Sequence, residues 1–518
     1  MQVIDAERAA GLIDSGSTLT VSGLLGNLVA EHVLDALERR FLATGEPNGL
    51  TEIHPWLYGA ADGTGLNRFA HPGFLKRIIG STYILPALNK AAPINRLVLD
   101  DGVEGYCWPA NAIFQMLRAA GAGRAGYLTT IGVGTFADPR VDGGRLNASA
   151  KDDLVELLEV GGEEHLFYPT IPIDVALIKA TTADTEGNLF CEEEGLTQGI
   201  LLQATAARNS GGIVIAQVKR IVEAGSMHPL MVEVPGILVD YVVVHEHARQ
   251  WEYGPTEGDQ PASTGAVRIE LPEPSAVEQC AGKVIGRRAL MEIASGDLVN
   301  AGGGVPITYM FPVAHEEGVH SQFSWSVEHG VFGGRPISAT HLNPTAITSP
   351  GWLLDFYNGG GLDQSFLAMA ELDRHGNVNV GRLGDQLPGP GGFTDIAAGT
   401  RKVTFCGTMT TGGLEVDATD GTLRIVREGA RTKFVSDCQM VCFSGRQAVA
   451  RGQEITYVTE RAVFRLDERG VVLTEVAPGI DVRTQVLALA DFPIVVADDL
   501  ALMDERLFRE QPVGISLR

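Results

Sequence analysis

Two pairs of similar segments divide the chain into related halves, and this repetition constrains the fold more than any other feature. IDSGSTLTVSGLLG begins at Ile13 and IASGDLVNAGGGVP begins at Ile293; each combines a helix end, Ser-Gly, a short apolar strand and a glycine turn. DVALIKATTADTEGNL begins at Asp174 and DQSFLAMAELDRHGNV begins at Asp363; both place a second aspartate shortly before a Gly-Asn pair. The pairs occur in the same order, with roughly 90 additional residues between them in the first half. The sequence therefore predicts two related domains in tandem.

The segment between the halves has the composition of a linker. Residues 251–282 are rich in Pro, Gly, Ser and acidic residues and show little helical or strand periodicity. We therefore predict an N-terminal domain over residues 1–250 and a C-terminal domain over residues 283–518. A chain of 518 residues is long enough for both domains to bury large cores.

Short β-branched runs alternate with amphipathic segments within each half. GGIVIAQV (211–218) and GILVDYVVV (236–244) are typical of buried strands. The segment that begins at Trp108 predicts a helix with Pro109 as an early helical residue and Gly121 as its end. Alternation of strands and helices is typical of parallel sheets. The predicted fold class is α/β, with two related open α/β domains.

Charge and hydropathy exclude some classes of function. The chain has 40 basic and 64 acidic residues and a net charge of −24, which disfavours binding to nucleic-acid phosphates. No apolar run approaches the roughly 18 residues that a membrane span requires. The N-terminus lacks the basic-then-apolar order of a signal peptide. We therefore predict a cytoplasmic protein that binds neither nucleic acid nor membrane.

The sequence gives no clear metal site. The six cysteines form no CxxC pair and show no zinc spacing, so we expect reduced thiols in a cytosolic protein. The HEH segment His245–His247 precedes the linker and reads as a solvated turn rather than as a set of metal ligands.

The segment SVEHGVFGGRP (326–336) places a carboxylate at the end of a predicted strand. Phe323, Trp325 and Val327 alternate with small polar residues, and Glu328 ends the polar face of this strand. Ligands of open α/β sheets bind beyond the carboxyl ends of strands. Gly333 and Gly334 have no Cβ, so a ligand or another backbone segment could approach them closely. The alternative is an ordinary strand-end glutamate beside a turn.

Two further glycine turns are candidate sites for an oxyanion or a phosphate. NAGGGVP contains Gly302 and Gly303, and LPGPGGFTD contains Gly391 and Gly392. Either turn could present backbone N–H groups to a bound anion. Neither contains the GK[ST] or GxGxxG pattern of a nucleotide-binding loop. Each is also compatible with a purely structural tight turn.

The segments considered jointly resemble the class I CoA-transferases, specifically the fused single-chain propionate or short-chain acyl-CoA:acetate type. The similar segments extend over nearly the whole chain and include SGGIVIAQVKRIV, VPGILVDYVVV, VNAGGGVP, SVEHGVFGGRP, DFYNGGGLD, HGNVNV, GPGGFTDI, YVTERAVFRL and EVAPGIDV. By this resemblance, Glu328 is the catalytic glutamate that carries CoA as a glutamyl thioester. Gly391 and Gly392 form the turn that faces the thioester oxygen and the pantetheine arm.

The resemblance also implies partners and assembly. The substrates would be acyl-CoA and small carboxylic acids, with CoA as a substrate and no metal or redox cofactor. The protein would be a homodimer or a homotetramer. The predicted domain that contains Glu328 is the C-terminal one.

The chain departs from the family pattern ahead of the helix in the first half. The family has Leu-Pro-Gln-Gly there, and the glutamine contributes to the oxyanion site. This chain has Ala110 at the glutamine position and Asn111 at the glycine position. Asn111 could supply the missing donor, or it could be an ordinary asparagine at a helix start.

Two residues near Glu328 are larger than those of the family. His329 could tune or shield Glu328, or it could fill the wall of the site. Arg335 could pair with a second carboxylate on the substrate, or with Asp or Glu elsewhere in the protein. We group His329, Gly333, Gly334 and Arg335 as candidate substrate-binding residues.

Three functions follow from these observations. The first is ping-pong transfer of CoA from an acyl-CoA to a short-chain carboxylic acid through Glu328. The second is hydrolysis of acyl-CoA thioesters on the same scaffold, which the missing glutamine makes credible. The third is a non-catalytic acyl-CoA sensor, which the presence of Glu328 and the glycine turns disfavours.

Overall fold

The chain folds into two compact units, and each unit combines three separate segments of the sequence. The computed structural model describes residues 1–59, 63–84, 92–254, 256–271, 273–337 and 340–518. Unit 1 comprises Met1–Ile269, Glu328–Asp355 and Gly384–Gly392, and unit 2 comprises Glu270–Val327, Phe356–Leu383 and Phe393–Arg518.

The first change of unit falls inside the predicted linker 251–282, of which residues 255 and 272 lie outside the described residues. The predicted domains followed the chain, whereas unit 1 includes two segments of the second half, and one of them contains Glu328. That segment bonds to other parts of unit 1: the Asn343 N–H donates to the Ala262 carbonyl at 2.7 Å. The Gln115 amide donates to the Gly351 carbonyl at 3.1 Å.

The main sheet of unit 1 has eight strands, and every neighbouring pair is parallel. All five residues of the central strand Val175–Lys179 are buried, as expected for a parallel strand that is covered on both faces. In spatial order the strands are Gln2–Ile4, Tyr241–Val244, Ile213–Val218, Val175–Lys179, Thr18–Val21, Leu50–His54, Leu75–Gly80 and Glu104–Cys107. The helices are Ala6–Gly11, Glu31–Thr44, Pro93–Leu99, Ala110–Gly121 and Ile200–Asn209, and the helix Pro350–Asn358 begins in this unit.

The main sheet of unit 2 begins as a parallel block, continues with two antiparallel pairs and ends with a parallel pair. In spatial order its strands are Ser324–Val327, Leu298–Ala301, Gln364–Ala368, Lys402–Cys406, Glu454–Val458, Ala462–Asp467, Gly470–Val476 and Val495–Leu502. The helices of the unit are Ala281–Leu290, Phe311–Glu316, Phe393–Gly399, Gly445–Ala450 and Val482–Gln485.

Five parallel strands occur in the same spatial order in both units, as the sequence repetition predicts. The order in unit 1 is Tyr241–Val244, Ile213–Val218, Val175–Lys179, Thr18–Val21 and Leu50–His54. The order in unit 2 is Glu454–Val458, Lys402–Cys406, Gln364–Ala368, Leu298–Ala301 and Ser324–Val327. The aspartate that begins each of the similar segments, Asp174 or Asp363, has the same role in each unit. Asp174 accepts a hydrogen bond from the Thr18 N–H at 2.7 Å, and Asp363 accepts one from the Leu298 N–H at 2.8 Å.

The second aspartate of these similar segments forms the same turn in both units. Asp184 accepts a hydrogen bond from the Asn188 backbone N–H at 2.9 Å and from its side-chain amide at 2.8 Å. Asp373 accepts the equivalent bonds from Asn377 at 3.1 and 2.9 Å. The repeated residues therefore close equivalent turns, which explains why both aspartates and both asparagines recur at the same spacing.

Short strands account for the remaining pairing. The antiparallel sheet of Gly126–Thr129, Glu163–Pro169 and Glu156–Val160 lies in the additional sequence of the first half. The other short strands are Arg220–Val222, Thr182–Asp184, Leu189–Phe190 and Val232–Val234; Val378–Asn379, Glu371–Asp373 and Phe434–Val435; Val331–Phe332 and Ala346–Ile347; Arg335–Ile337 and Thr340–Leu342; Thr410–Thr411 and Arg431–Thr432; and Glu415–Asp417 and Arg424–Arg427.

The α/β fold class with parallel sheets and duplicated halves is confirmed. The two predicted strands form as Ile213–Val218 and Tyr241–Val244, and the predicted helix forms as Ala110–Gly121. Pro109 is the residue before this helix rather than its first turn, because its ψ of 142° is extended. All six cysteines are free. Across the described residues, no helix is long and apolar enough to cross a membrane, and no cluster of three or more His, Cys, Asp or Glu side chains could hold a metal ion.

Candidate active site

Glu328 occupies the position that the sequence predicts, immediately after the strand Ser324–Val327. This strand is parallel to Leu298–Ala301, so Glu328 follows its carboxyl end. The side chain of Glu328 is 16% exposed and lies in a turn. A carboxylate in this position is accessible to a ligand while most of its surface is shielded from water.

On the polar face of the strand, Ser324 is exposed but Ser326 is buried, which the sequence pattern did not indicate. Ser326 is 3% exposed. Its hydroxyl accepts a hydrogen bond from the Tyr357 hydroxyl at 2.8 Å and donates to the Val299 carbonyl at 3.2 Å. The Asn300 amide donates to the Ser326 carbonyl at 3.3 Å. The strand that leads to Glu328 is therefore fixed by polar contacts of Ser326 on its polar face.

His329 and two aromatic rings form a wall beside Glu328. The His329 Nε2 atom lies 4.0 Å from the Glu328 Oε1 atom, and the His329 side chain is 13% exposed. The ring of Trp56 meets the His329 ring edge to face, with centroids 4.9 Å apart. Trp56 in turn packs against Phe114 at 5.7 Å. These contacts support the prediction that His329 contributes to the wall of the site.

A second histidine lies beneath the same loop. His341 is buried, and its Nδ1 donates to the Gly333 carbonyl. The pKa of His341 is lowered to about 4, chiefly by burial and also by the His329 ring, whereas the hydrogen bond to Gly333 and the Glu328 carboxylate oppose the shift. His341 is therefore uncharged at neutral pH, and its ring supports the loop without adding charge beside Glu328.

The glycines after Glu328 are required by the shape of their own loop. Gly333 and Gly334 have φ values of +64° and +74°. A Cβ on Gly333 would lie 2.5 Å from the Thr345 hydroxyl oxygen, and one on Gly334 would overlap the Leu342 carbonyl. The atoms that approach these two glycines closely therefore belong to residues 342–345, further along the same chain segment. Arg335 begins the next short strand, opposite Leu342, and is partly buried.

Asn111, the candidate oxyanion donor, is already engaged in the protein. Its amide nitrogen donates to an Asp355 oxygen at 2.9 Å, and its amide oxygen accepts from Gln115 at 3.2 Å. Gln115 also donates to the other Asp355 oxygen at 3.0 Å. Burial raises the pKa of Asp355, whereas the Asn111 hydrogen bond and the nearby Arg118 charge lower it. The bond to Asp355 uses one of the two amide hydrogens of Asn111 and fixes the orientation of this side chain.

The glycine turn Pro388–Gly392 is tightly fixed within unit 1. The Gly391 N–H donates to the Ser81 carbonyl at 3.0 Å, and the Gly391 carbonyl accepts from the Ala110 N–H at 3.3 Å. The Pro388 carbonyl accepts from the Tyr83 N–H at 2.8 Å. Gly391 has a φ of +56°, and both Gly391 and Gly392 are buried. Ala110, which occupies the position of the family's glutamine, thus holds the turn through its backbone.

The other predicted glycine turn lies in unit 2. The Gly302 N–H donates to the Phe366 carbonyl at 2.8 Å. A Cβ on Gly302 would lie 3.0 Å from a Leu367 methyl group, whereas one on Gly303 would meet no atom within 4 Å. Gly303 is exposed. The open space above Gly303 is compatible with the predicted approach of a ligand.

Sequence reasoning missed the residues that support the Pro388–Gly392 turn. Glu52 and His54 are fully buried on the strand Leu50–His54, and Trp56 follows two residues later. Successive alternate residues of a strand point to one face. The spacing of Glu52 and His54 in an otherwise apolar strand was the signal that could have identified this pair.

Comparisons with known proteins agree with the resemblance. A family model described as Coenzyme A transferase matches residues 3–245. The acetate CoA-transferase YdiF of Escherichia coli (strain K12) is 38% identical over 99% of this chain and 96% of its own length. The caffeate CoA-transferase of Acetobacterium woodii is 38% identical over 99% of this chain and 98% of its own length.

A solved structure extends the similarity to the whole fold. The acyl-CoA transferase YdiF from Escherichia coli O157:H7, in a thioester complex with CoA, superposes with a TM-score of 0.92 at 38% identity. The match covers 100% of this chain and 98% of that chain.

Proposed function

Since the chain belongs to the coenzyme A transferase family, we propose that it moves CoA from an acyl-CoA to a short-chain carboxylic acid through a glutamyl-CoA thioester on Glu328. The chain is an enzyme that transfers CoA. The observation that carries the assignment to Glu328 is its position: this carboxylate follows the carboxyl end of a parallel strand and is only 16% exposed.

The proposed reaction has two half-reactions that share the Glu328 carboxylate. A carboxylate oxygen attacks the acyl-CoA carbonyl, the carbon–sulfur bond breaks, and an acyl-glutamyl anhydride and CoA thiolate form. The thiolate attacks the glutamyl carbonyl and releases the first acid as its carboxylate. The acceptor carboxylate then reverses these steps on the glutamyl thioester, which restores Glu328 and yields the new acyl-CoA.

The surroundings of Glu328 suit intermediates that water would destroy. The Trp56 and Phe114 rings are buried, and Trp56 packs on His329 beside the carboxylate. Exclusion of water strengthens electrostatic interactions and prevents hydrolysis of the anhydride and the thioester. The relatives reported above are named as transferases, so we retain transfer rather than hydrolysis.

We assign the oxyanion donor of the Pro388–Gly392 turn to the Gly392 N–H. The Gly391 N–H is used by the Ser81 carbonyl, so it is unavailable to substrate. Among the described residues, the Gly392 N–H donates no hydrogen bond to another backbone group. A backbone donor aimed at a developing oxyanion contributes about 3 kcal/mol to transition-state stabilisation. This donor would replace the side-chain amide that is missing at Ala110.

The proposal also covers the remaining predicted residues. His329 and Arg335 would face the substrate, while Gly333 and Gly334 shape the loop that holds them. Gly302 and Gly303 would provide space for CoA. Every step is acyl transfer between carbonyl groups, so we propose no cofactor other than CoA as a substrate.

We further propose a cytoplasmic homodimer or homotetramer. The six free cysteines fit a reducing compartment. Leu230 and Ile237 are 89% and 81% exposed, and each is an apolar side chain that self-association would cover. Sedimentation velocity would detect the assembly, and a monomer at micromolar concentration would contradict it.

The decisive experiment is intact-mass analysis of the protein after incubation with propionyl-CoA in the absence of an acceptor. We expect a covalent CoA adduct on the peptide that contains Glu328, removable by added acetate. Glu328→Gln should give no adduct, whereas Glu468→Gln, at an exposed carboxylate, should behave like the wild type. Transfer by Glu328→Gln at the wild-type rate would exclude Glu328 as the nucleophile, and steady release of CoA without an adduct would favour hydrolysis.

A further inference from the structure

A buried glutamate–histidine pair lies behind the glycine turn Pro388–Gly392. Glu52 and His54 are both fully buried on the strand Leu50–His54. The His54 Nδ1 atom lies 2.6 Å from a Glu52 carboxylate oxygen. The Tyr58 hydroxyl donates to the other Glu52 oxygen at 3.0 Å. The carboxylate is therefore bonded on both oxygens and is not a second nucleophile.

Both ring nitrogens of His54 face oxygen acceptors. The Nδ1 atom faces Glu52, and the Nε2 atom lies 2.9 Å from the Thr82 carbonyl oxygen. A backbone carbonyl only accepts, so the Nε2 atom must carry a hydrogen. The Nδ1 atom and the nearer Glu52 oxygen share one hydrogen across their 2.6 Å contact. The rings of Tyr58 and Tyr83 enclose the His54 ring edge to face, at 5.7 and 5.6 Å.

A buried polar pair of this kind is a poor source of stability. Removing both groups from water is costly, and apolar residues of similar volume often stabilise a core equally well. The pair therefore calls for an explanation beyond core packing. The contact of His54 with the next segment provides this explanation, because its Nε2–H donates a hydrogen bond to the Thr82 carbonyl.

The segment Ser81–Tyr83 carries the glycine turn. The Ser81 carbonyl accepts from the Gly391 N–H at 3.0 Å, and the Tyr83 N–H donates to the Pro388 carbonyl at 2.8 Å. Thr82 lies between these two bonds and is held twice. Its carbonyl accepts from His54, and its hydroxyl accepts from the Leu57 N–H at 2.8 Å. The position of the turn thus depends on a short segment whose middle residue is fixed by His54.

The same chain segment reaches the wall beside Glu328. Trp56 follows His54 by two residues and packs on His329 at 4.9 Å. The Ser81 hydroxyl donates to the Pro55 carbonyl, which ties the two segments together between His54 and Trp56. One rigid cluster therefore supports both the aromatic wall and the glycine turn.

We propose that His54, held by Glu52, is a positioning residue for CoA transfer: its Nε2–H fixes Thr82 and thereby the turn that carries Gly391 and Gly392. This inference deepens the proposed function and rests on it. His54 is buried away from any substrate, so it takes part in no bond-making step. Its effect is on the placement of the Gly392 N–H relative to the oxyanion that forms at the glutamyl or acyl carbonyl.

Two amide substitutions separate the two contacts of the ring. The amide of His54→Gln reaches the place of Nε2, so its NH₂ can still donate to the Thr82 carbonyl. The amide of His54→Asn reaches only the place of Nδ1, so it keeps a contact with Glu52 and loses Thr82. Both variants remove the imidazole ring, so a loss of stability common to both is separable from a loss of positioning.

The experiment measures full-length protein in two ways. Hydrogen–deuterium exchange of the peptide containing residues 384–399 reports on the Gly391 N–H, independently of activity. Single-turnover formation of the CoA adduct from propionyl-CoA reports on the chemical steps. We expect His54→Asn to accelerate exchange at this peptide about tenfold and to slow adduct formation about 10- to 100-fold, with KM within about threefold. His54→Gln should remain within about threefold of the wild type in both measurements.

The outcomes distinguish this inference from the proposed function. If the wild type forms the adduct but both variants match each other in exchange and in rate, the positioning role of His54 is excluded while the role of Glu328 stands. If the wild type forms no adduct, the proposed function fails, and equal exchange in the two variants would also exclude support of the turn by His54. Should His54→Asn fail to fold, Glu52→Gln replaces it; unchanged exchange and unchanged adduct rate in that variant would overturn the proposal.

Discussion

Replacing Gly391 by alanine would test whether the glycine turn must keep its present position. Gly391 has a φ of +56°, where alanine costs about 1 to 2 kcal/mol in backbone strain. Its Cβ would lie 3.2 Å from a Thr82 methyl carbon and 3.8 Å from a ring atom of Trp56. The first distance is shorter than an ordinary van der Waals contact, so the turn or Thr82 must move by a few tenths of an ångström. That movement would be passed to the adjacent Gly392 N–H.

Gly384→Ala is the matched control for this substitution. Gly384 has a φ of +66°, and a Cβ there would meet no atom within 4 Å. The two variants therefore share the backbone strain, and each should lower the thermal unfolding midpoint by a few degrees. Only Gly391→Ala adds the contact with Thr82. We expect it to reduce kcat about 10- to 100-fold, because a displaced oxyanion donor loses much of its stabilisation of the transition state.

The assay is the rate of adduct formation in a single turnover, followed by steady-state kinetics with acetate as the acceptor. Gly384→Ala should stay within about threefold of the wild type in kcat. Equal rates for the two variants would refute the reasoning, because the steric contact would then have no effect on chemistry. A higher KM for propionyl-CoA at unchanged kcat would mean that the turn binds CoA equally in the ground state and the transition state and does not stabilise the oxyanion.

Two further predictions concern Asn111 and His341. Asn111→Ala should destabilise the protein by about 1 to 3 kcal/mol, since Asp355 loses a buried donor, while kcat changes less than about threefold. A loss of about 100-fold in kcat at an unchanged unfolding midpoint would instead identify Asn111 as the oxyanion donor. The pKa of His341 is about 4 in the folded protein, below its ordinary value of 6.5. The unfolded chain therefore binds the proton first, and stability should fall by up to about 3 kcal/mol as the pH drops from 6.5 to 4. His341→Gln should remove this part of the pH dependence of the unfolding midpoint, and an unchanged dependence would contradict the assignment.

The position of Glu328 could be predicted because its local pattern is simple. Alternation along Phe323–Val327 indicated a strand, and the glycines after Glu328 indicated its end. The parallel sheet then placed the carboxylate at the edge where such folds bind ligands. The pattern did not reveal that Ser326 is buried, because its partners Tyr357 and Asn300 come from distant parts of the sequence.

The contacts of the glycine turn were beyond sequence reasoning for the same reason. Gly391 bonds to Ser81 and Ala110, which are about 300 residues away along the chain. Asn111 looked like a free donor at a helix start, yet Asp355 uses its amide. Local periodicity predicts the elements, whereas long-range polar pairing decides which side chains remain available for chemistry.

The two sheets show why a reactive carboxylate belongs just beyond a strand rather than within it. Glu52 pairs in register with Leu19, as Trp325 pairs with Val299, so Glu52 occupies an interior position of the equivalent strand. A carboxylate buried there must be compensated, and both of its oxygens are bonded, by His54 and by Tyr58. Those bonds remove its capacity to attack a thioester and leave it suited to fixing its neighbours. Glu328 lies in the turn one position past the strand, where backbone geometry no longer encloses the side chain on both faces. Duplication of the fold thus provides two comparable strands, and the position of each carboxylate along its strand determines that one supports the backbone while the other can react.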